Sequence, residues 1–161
     1  MSEKEQTGRL HAAVRPSPES LPAPVIRRAR PEDRGALFAF YETFEPKGAC
    51  LGLPPREDPN PWLLRLAPFS NFLVELEGKL VAHGALCNEN GSGEVVVFVH
   101  QDYRGCGLGK LLLSELVAEA RRLGLKRVWG MTELENVPML RLARSLGFVP
   151  GEDPQEFCLL L

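Results

Sequence analysis

Apolar residues recur along this chain with two periods, which divide it into strands and helices. Short apolar or alternating runs predict strands at 25–30, 71–76, 80–86, 94–99, 126–132 and 156–160, with a loop at 88–93. Helical spacing predicts a long helix whose apolar residues are Leu108, Leu112, Leu116, Ala120 and Leu123. Shorter helices are predicted after Pro31, around Trp62 and after Asn136.

Residues that favour helix ends support these boundaries. Pro31 stands in a first turn, where a missing amide proton costs little, and Asn136 fits an N-cap followed by Pro138. Gly124 and Gly147 fit C-terminal stops. The inward-facing residues predicted for the first and last helices are Leu37, Phe38 and Tyr41, and Leu140, Ala143 and Leu146.

Strands and helices alternate in the second half of the chain, which predicts an α/β fold with a mixed sheet. The 161 residues are the size of one domain with a core of its own. Residues 1–23 mix charges and prolines without an apolar period, so they are predicted to form a flexible tail. We therefore place a single domain at 24–161.

Composition narrows the class of protein. A net charge of -2 gives no field that favours nucleic acid, and no apolar run is long enough to cross a bilayer or to serve as a secretory signal. The four cysteines lie far apart without a CxxC pair, so neither a zinc site nor a disulfide framework is expected. The expectation is a cytoplasmic protein with no metal, no nucleic-acid partner and no membrane; an oligomer is left open.

The run Arg104–Lys110 carries the clearest chemical signal. Gly105, Gly107 and Gly109 lie between a buried strand and the start of the long helix, where glycine lets the backbone turn tightly and approach a ligand. The first amides of a helix have no intrahelical partner and lie at its positive end, so this loop is suited to a phosphate or pyrophosphate.

The spacing of glycines in this loop does not match either of two nucleotide-binding motifs. The dinucleotide motif GxGxxG needs a third glycine where this chain has Lys110. A P-loop needs one more residue between Gly105 and Gly109, and a serine or threonine where Leu111 stands. A glycine-rich turn without a ligand remains the alternative to a pyrophosphate site.

The strand, the glycine loop and the later segment Asn136–Phe148 together resemble the two cofactor motifs of the GNAT superfamily of N-acetyltransferases. The resemblance implies a single-domain, mostly antiparallel mixed sheet flanked by helices, with acetyl-CoA as co-substrate. It also implies main-chain pairing of the cofactor with one strand and side-chain contact near the pantetheine. The cofactor-binding residues implied are Val97, Phe98, Val99, Arg104, Gly105, Cys106, Gly107, Leu108, Gly109, Lys110 and Asn136.

Within that superfamily the chain is similar to bacterial protein lysine acetyltransferases of the Pat type, which act on acyl-CoA synthetases. In those proteins a glutamate at the position of Glu94 is the general base. Many GNAT enzymes use a tyrosine as an acid at the position where this chain has Ala143. The resemblance implies a protein lysine as acceptor. The alternatives are a small amine, and a non-catalytic module that only binds acetyl-CoA.

The chemistry itself calls for a base. A lysine with a pKa near 10.4 is neutral only ~0.04% of the time at pH 7, so a carboxylate that accepts the proton speeds attack. Alternation along the strand predicts that Glu94 shares a face with Val96 and Phe98. His83 is interpreted as a hydrogen-bonded strand residue and His100 as a solvent-facing strand end.

Overall fold

The computed structural model describes residues 16–161. Its strands are β1 (Val25–Arg28), β2 (Ser70–Leu76), β3 (Lys79–Glu89), β4 (Ser92–Val99), β5 (Arg127–Met131), β6 (Val149–Pro150) and β7 (Glu156–Leu160). Its helices are α1 (Arg34–Thr43), α2 (Asn60–Leu66), α3 (Leu108–Arg122) and α4 (Val137–Ser145), with 3-10 turns at Pro18–Ser20, Pro31–Asp33 and Gln101–Tyr103. Every predicted strand and helix is present; the short strand β6 is an addition to them.

The strands form one sheet in the order β1-β2-β3-β4-β5-β7-β6. Within residues 16–161 the neighbouring strands are antiparallel except β4 and β5, which are parallel. A parallel pair needs a crossover connection, and the segment that contains α3 supplies it. The predicted α/β fold with a mixed, mostly antiparallel sheet is thus confirmed.

Two tight turns fix the hairpins on either side of β3. Glu77 and Gly78 have φ values of 48° and 78°, and Asn90 and Gly91 have values of 49° and 77°. Two successive residues with positive φ match the twist of a hairpin, and Asn-Gly is well suited to such a turn. The prediction of a loop at 88–93 is therefore wrong, because pairing between β3 and β4 continues to the row Glu89↔Ser92.

The two faces of the sheet carry separate cores. The α3 face, which packs against α3 and α4, includes Leu86, Val95 and Val128. The α1 face, which packs against α1 and α2, includes Ala85 and Phe98. Because β3 and β4 stay in register from Ala82↔Val99 to Glu89↔Ser92, no bulge changes the face of any residue between them.

The apolar stripe of α1 differs by one residue from its prediction. Phe40 and Tyr41 are the buried residues of this helix, and Leu37 packs partly against the same cluster. With Phe44 they follow the spacing i, i+3, i+4 and i+7 that one helix face requires. Phe40 therefore takes the inward position that was predicted for Phe38.

Residues 16–24 lead into β1 along the α3 face. Pro18–Ser20 forms a 3-10 turn, and Leu21 packs against the core cluster of that face. The Cys106 thiol also lies 3.5 Å from the carbonyl oxygen of Pro16. Residues 1–15 of the predicted tail lie outside the described residues, and the domain boundary at 24 stays a prediction.

A buried carboxylate joins α3 to the first strands of the sheet. The side chain of Glu119 is only 3% exposed, and it accepts hydrogen bonds from Arg28 at 2.6 Å, Ser70 at 2.7 Å and Arg122 at 2.9 Å. Burial alone would raise the pKa of Glu119, but these donors lower it to about 2. The ionised carboxylate therefore holds α3 against β1 and β2.

We expect Glu119→Gln to lower the free energy of unfolding by about 1–3 kcal/mol at pH 7, because buried donors lose a charged acceptor. A depressed pKa stabilises the fold above the unfolded value of 4.5, and that stabilisation is lost as pH falls toward about 2. Urea unfolding at pH 7 and at low pH measures both effects, so the two proteins should converge in acid.

Glu115→Gln is the matched control, since among residues 16–161 Glu115 pairs with the half-exposed Arg122 from the same helix. Such a pair contributes about 0–1 kcal/mol. Equal losses in the two variants would contradict a special role for the buried carboxylate.

Candidate active site

Strands β4 and β5 pair over only three residues and then separate. The paired rows are Ser92↔Arg127, Gly93↔Val128 and Glu94↔Trp129. Beyond Glu94, β4 stays fully paired with β3 but no longer with β5. Since alternate residues of an antiparallel strand direct their amide and carbonyl groups to opposite edges, part of the 95–99 backbone faces this opening. We call the opening, bounded by 95–99 and 130–132, the slot.

The slot can accept an extended ligand arm along the edge of β4. Val97, Phe98 and Val99, predicted to pair with the cofactor, form this edge. Their side chains are turned elsewhere: Val97 and Val99 pack on the α3 face, and Phe98 is buried on the α1 face. This edge therefore offers a ligand main-chain groups, which is the kind of contact that the resemblance implies; the contact itself stays a prediction.

The glycine loop lies between the end of β4 and α3, and its glycines have two different roles. Gly105 and Gly107 have φ values of 76° and 81°, which other residues rarely adopt, and a β-carbon on either would meet open space. Gly109 instead lies close to α4: a β-carbon there would lie 3.1 Å from the end of the Leu142 side chain, which would have to shift by a few tenths of an ångström.

The start of α3 is available to an anion. Gly107 is the N-cap residue and has no side chain to cap the helix, and the first turn contains no acidic residue. The amides of Leu108, Gly109 and Lys110 thus lie at the positive end of a fifteen-residue helix. The exposed Lys110 adds a cation beside them.

Arg104 and Cys106 hold the loop in place. The Arg104 guanidinium donates to the carbonyl oxygens of Val99 at 3.0 Å and Glu45 at 2.8 Å, and it lies 5.1 Å from the centre of the Phe44 ring. It therefore joins the glycine loop to the segment after α1, a role beyond its predicted place at the rim. The half-buried Cys106 thiol packs against main-chain oxygens of the loop and of Pro16.

Asn136 caps α4, as its position predicts. Its side-chain oxygen accepts from the Met139 amide at 3.3 Å, and its side-chain nitrogen donates to the Thr132 hydroxyl at 2.9 Å. These bonds fix the N-terminus of α4 at the far side of the slot, next to the end of β5. Contact between Asn136 and a cofactor stays a prediction.

Glu94 lies in the last row before the strands separate. Residues paired across a sheet project to the same face, so Cys87, Glu94 and Trp129 form one row on the α1 face. The predicted face of Glu94 is confirmed by this register. Burial raises the pKa of the half-buried carboxyl above its usual range.

A cavity of about 210 Å³ opens beside Glu94 on the α1 face. Its wall is formed by the hairpin end 88–90 together with Phe69, Cys87, Ser92, Glu94 and Trp129. Burial, with Glu94 nearby, raises the pKa of the Cys87 thiol to about 11, so this cysteine stays protonated. The cavity thus brings the Glu94 carboxylate together with the aromatic side chains of Phe69 and Trp129.

The two histidines near these strands are structural. His83 is fully buried, with Nδ1 2.6 Å from the Tyr41 hydroxyl and Nε2 2.9 Å from the Asn71 side-chain oxygen. Burial lowers the pKa of His83 to about 3, so its ring is neutral and both nitrogens are engaged. The prediction of a hydrogen-bonded strand residue is confirmed.

The prediction that His100 faces solvent is wrong. His100 follows β4 as expected, but it is buried, and its ring lies 5.9 Å from that of Phe40. Its Nε2 is 3.2 Å from the Thr43 hydroxyl, and Nδ1 accepts from the Asp102 amide at 3.3 Å. The α1 side of the fold covers this end of β4. The hydrophobic pattern of β4 alone does not reveal that cover.

The sequence profile of the acetyltransferase (GNAT) family matches residues 35–148. This span contains the slot, the glycine loop and α4. The chain belongs to this family.

Curated relatives match shorter parts of this GNAT domain. A Pseudomonas aeruginosa acetyltransferase is 34% identical over 88 residues, which cover 52% of this chain and 47% of that protein. The L-methionine sulfoximine/L-methionine sulfone acetyltransferase of Salmonella typhimurium is 45% identical over 60 residues, or 37% of this chain and 35% of that protein. The chain thus spans about half, or less, of the length of these relatives.

Among solved structures, the GNAT domain of S. lividans PAT superposes with a TM-score of 0.73 at 18% identity. The match covers 84% of this chain and 89% of that domain. At this identity it shows the fold alone. The predicted family, the acetyltransferase class and acetyl-CoA as co-substrate are confirmed by family membership, whereas the finer Pat-type resemblance stays a prediction.

Several site residues escape prediction from the sequence. Phe69, Cys87 and Trp129 come from three different strands or turns, and only the register brings them to Glu94. Within residues 16–161 no group of three or more His, Cys, Asp or Glu side chains could hold a metal ion. In the same part of the chain, no helix has the length and apolar character needed to span a membrane.

We expect Gly107→Glu to weaken acetyl-CoA binding by roughly 10-fold or more, because a carboxylate at the start of α3 competes with the pyrophosphate. Gly107→Ala is the matched control for backbone strain, since both substitutions place a side chain at a φ of 81°. Each should cost about 1–2 kcal/mol of stability. Calorimetry and melting curves separate the effects; equal affinity in both variants would contradict an anion site here.

Proposed function

We propose that this domain transfers the acetyl group of acetyl-CoA to a primary amine by direct attack, with Glu94 as general base. The observation that carries this proposal is the position of Glu94. Its carboxylate stands at the closed end of the slot and borders the cavity on the α1 face. A cofactor in the slot and an amine in the cavity would therefore meet at this carboxylate.

The path of the cofactor follows from the same geometry. Its pyrophosphate would lie on the first amides of α3, and the arm would run along the edge of β4 from Val99 toward Glu94. That length of strand is roughly 17 Å at about 3.3 Å per residue. The thioester would then lie near the row Glu94↔Trp129, where pairing of the strands closes the slot.

The transfer needs one proton acceptor and one leaving group. The amine nitrogen forms a bond to the thioester carbonyl carbon, its proton passes to Glu94 directly or through a water, and the C–S bond breaks to release the CoA thiolate. The raised pKa of Glu94 brings the base closer to neutral pH while leaving it able to ionise.

The departing thiolate receives no proton from the position where many relatives in this family have a tyrosine. Ala143 occupies that position and is 1% exposed, packed in the core of the α3 face. A thiol has an ordinary pKa near 8.5, so a thiolate is a tolerable leaving group near neutral pH. The proposal therefore requires no acid at this position.

For the acceptor we propose a protein lysine, as the Pat-like pattern around Glu94 and the glycine loop indicates, with acyl-CoA synthetases as the target class. The second candidate is a small amine. The name of the Salmonella relative, which acetylates methionine derivatives, favours that candidate. A module that only binds acetyl-CoA has no use for a half-buried carboxylate beside a cavity.

Replacing Glu94 by Gln should preserve acetyl-CoA affinity and lower kcat by roughly 10²–10⁴. Part of the rate should return at high pH, where more of the amine is already neutral. In the unaltered domain the rate should fall as pH drops through the raised pKa of Glu94, because the protonated carboxyl cannot accept a proton. A pH–rate profile beside melting curves measures these effects.

Glu115→Gln again serves as the control. Glu115 and its partner Arg122 both belong to α3, on the side of the sheet opposite to the cavity. Its rate should match that of the unaltered domain. Equal rates for Glu94→Gln near neutral pH, at equal folded fraction, would remove Glu94 from the mechanism.

A further inference from the structure

The cavity beside Glu94 has a one-sided distribution of charge. Its wall contains the carboxylates of Glu89 and Glu94, and no Lys, Arg or His from residues 16–161 lines it. The remaining polar groups are neutral, among them the Ser92 hydroxyl, a buried oxygen with no hydrogen-bond partner in the described part of the chain. The cavity is therefore suited to a cation and unfavourable to an anion.

Aromatic side chains strengthen this preference. Phe69 and Trp129 lie on the wall, and Trp129 occupies the same row as Glu94. The face of an indole ring attracts ammonium groups, and its apolar surface accepts an alkyl chain. An alkyl ammonium entering this cavity would meet both a ring and a carboxylate.

The cation that shares a strand with Trp129 is already paired. Arg127 precedes Trp129 by two residues on the same strand, and its guanidinium lies 5.8 Å from the Trp129 ring centre. Its terminal nitrogen is bound to the carboxylate of Glu156 on β7. A carboxylate on the acceptor could recruit Arg127 only by displacing Glu156, which leaves that acid without its partner.

We propose that the acceptor of this domain is an alkyl primary amine without a carboxylate on the carbon that carries the nitrogen. The lysine side chain and alkyl polyamines belong to this class, whereas free α-amino acids do not. The inference rests on the proposed function, because the cavity must be where the acceptor binds. It also separates this domain from the relative whose name gives methionine derivatives as substrates.

The test compares acceptors that differ only in the carboxylate. L-methionine and L-methioninamide are assayed with acetyl-CoA at equal concentrations of neutral amine, so that their different amine pKa values do not contribute. We expect kcat/KM to be roughly 10-fold or more higher for the amide. Spermidine and Nα-acetyl-lysine amide, assayed alongside, distinguish a polyamine from a lysine side chain as the source of the amine.

Glu89→Gln supplies an independent readout. Removing this exposed charge from the cavity should reduce the preference for methioninamide over methionine by about 3-fold, whereas loss of stability alone would lower both rates equally. Glu77→Gln is the control, since Glu77 lies in the turn at the opposite end of β3. It should leave the preference unchanged.

The outcomes separate the two proposals. A preference for methionine, or a preference for the amide that Glu89→Gln does not alter, overturns the assignment of the acceptor class while acetyl transfer stands. Absence of acetylation with all four amines and with an acyl-CoA synthetase, in protein that binds acetyl-CoA, overturns the proposed function and this inference with it.

Discussion

Strands β4 and β5 are parallel neighbours that stay paired for only three rows, and the position of the last row determines the rest of the site. Pairing closes the sheet below Glu94↔Trp129, whereas separation above this row leaves backbone groups of β4 without a partner strand. The same row presents Glu94 and Trp129 to the α1 face. This register thus creates the slot for the cofactor arm and places the Glu94 carboxylate at the closed end of the slot.

The open ends of the two strands are joined by the chain segment that follows α1. On the β4 side, Gln101 bonds main-chain groups of Thr43 and Glu45, and Arg104 donates to the Glu45 carbonyl. On the β5 side, the Leu51 amide donates to the Glu133 carboxylate at 3.2 Å. The segment therefore spans the slot on the α1 face, at the ends of the strands that adjoin the glycine loop.

The sequence allowed the order of elements, the glycine loop and the cap at Asn136 to be predicted, because each depends on residues close together in the chain. The predictions for Phe38, His100 and the Asn90–Gly91 hairpin were wrong, since tertiary packing and turn conformation decide their environment. Trp129 and Phe69 could not be associated with Glu94, because their proximity arises from cross-strand register, which a single sequence does not encode locally.

A crystal structure of the domain with acetyl-CoA and a non-reactive amine tests the central claim most directly. The account predicts the pyrophosphate on the amides of Leu108 to Lys110 and the arm between β4 and β5. It further predicts the amine nitrogen within hydrogen-bond distance of the Glu94 carboxylate, directly or through one water. A thioester that lies away from the row Glu94↔Trp129, with the amine outside the cavity on the α1 face, would contradict it.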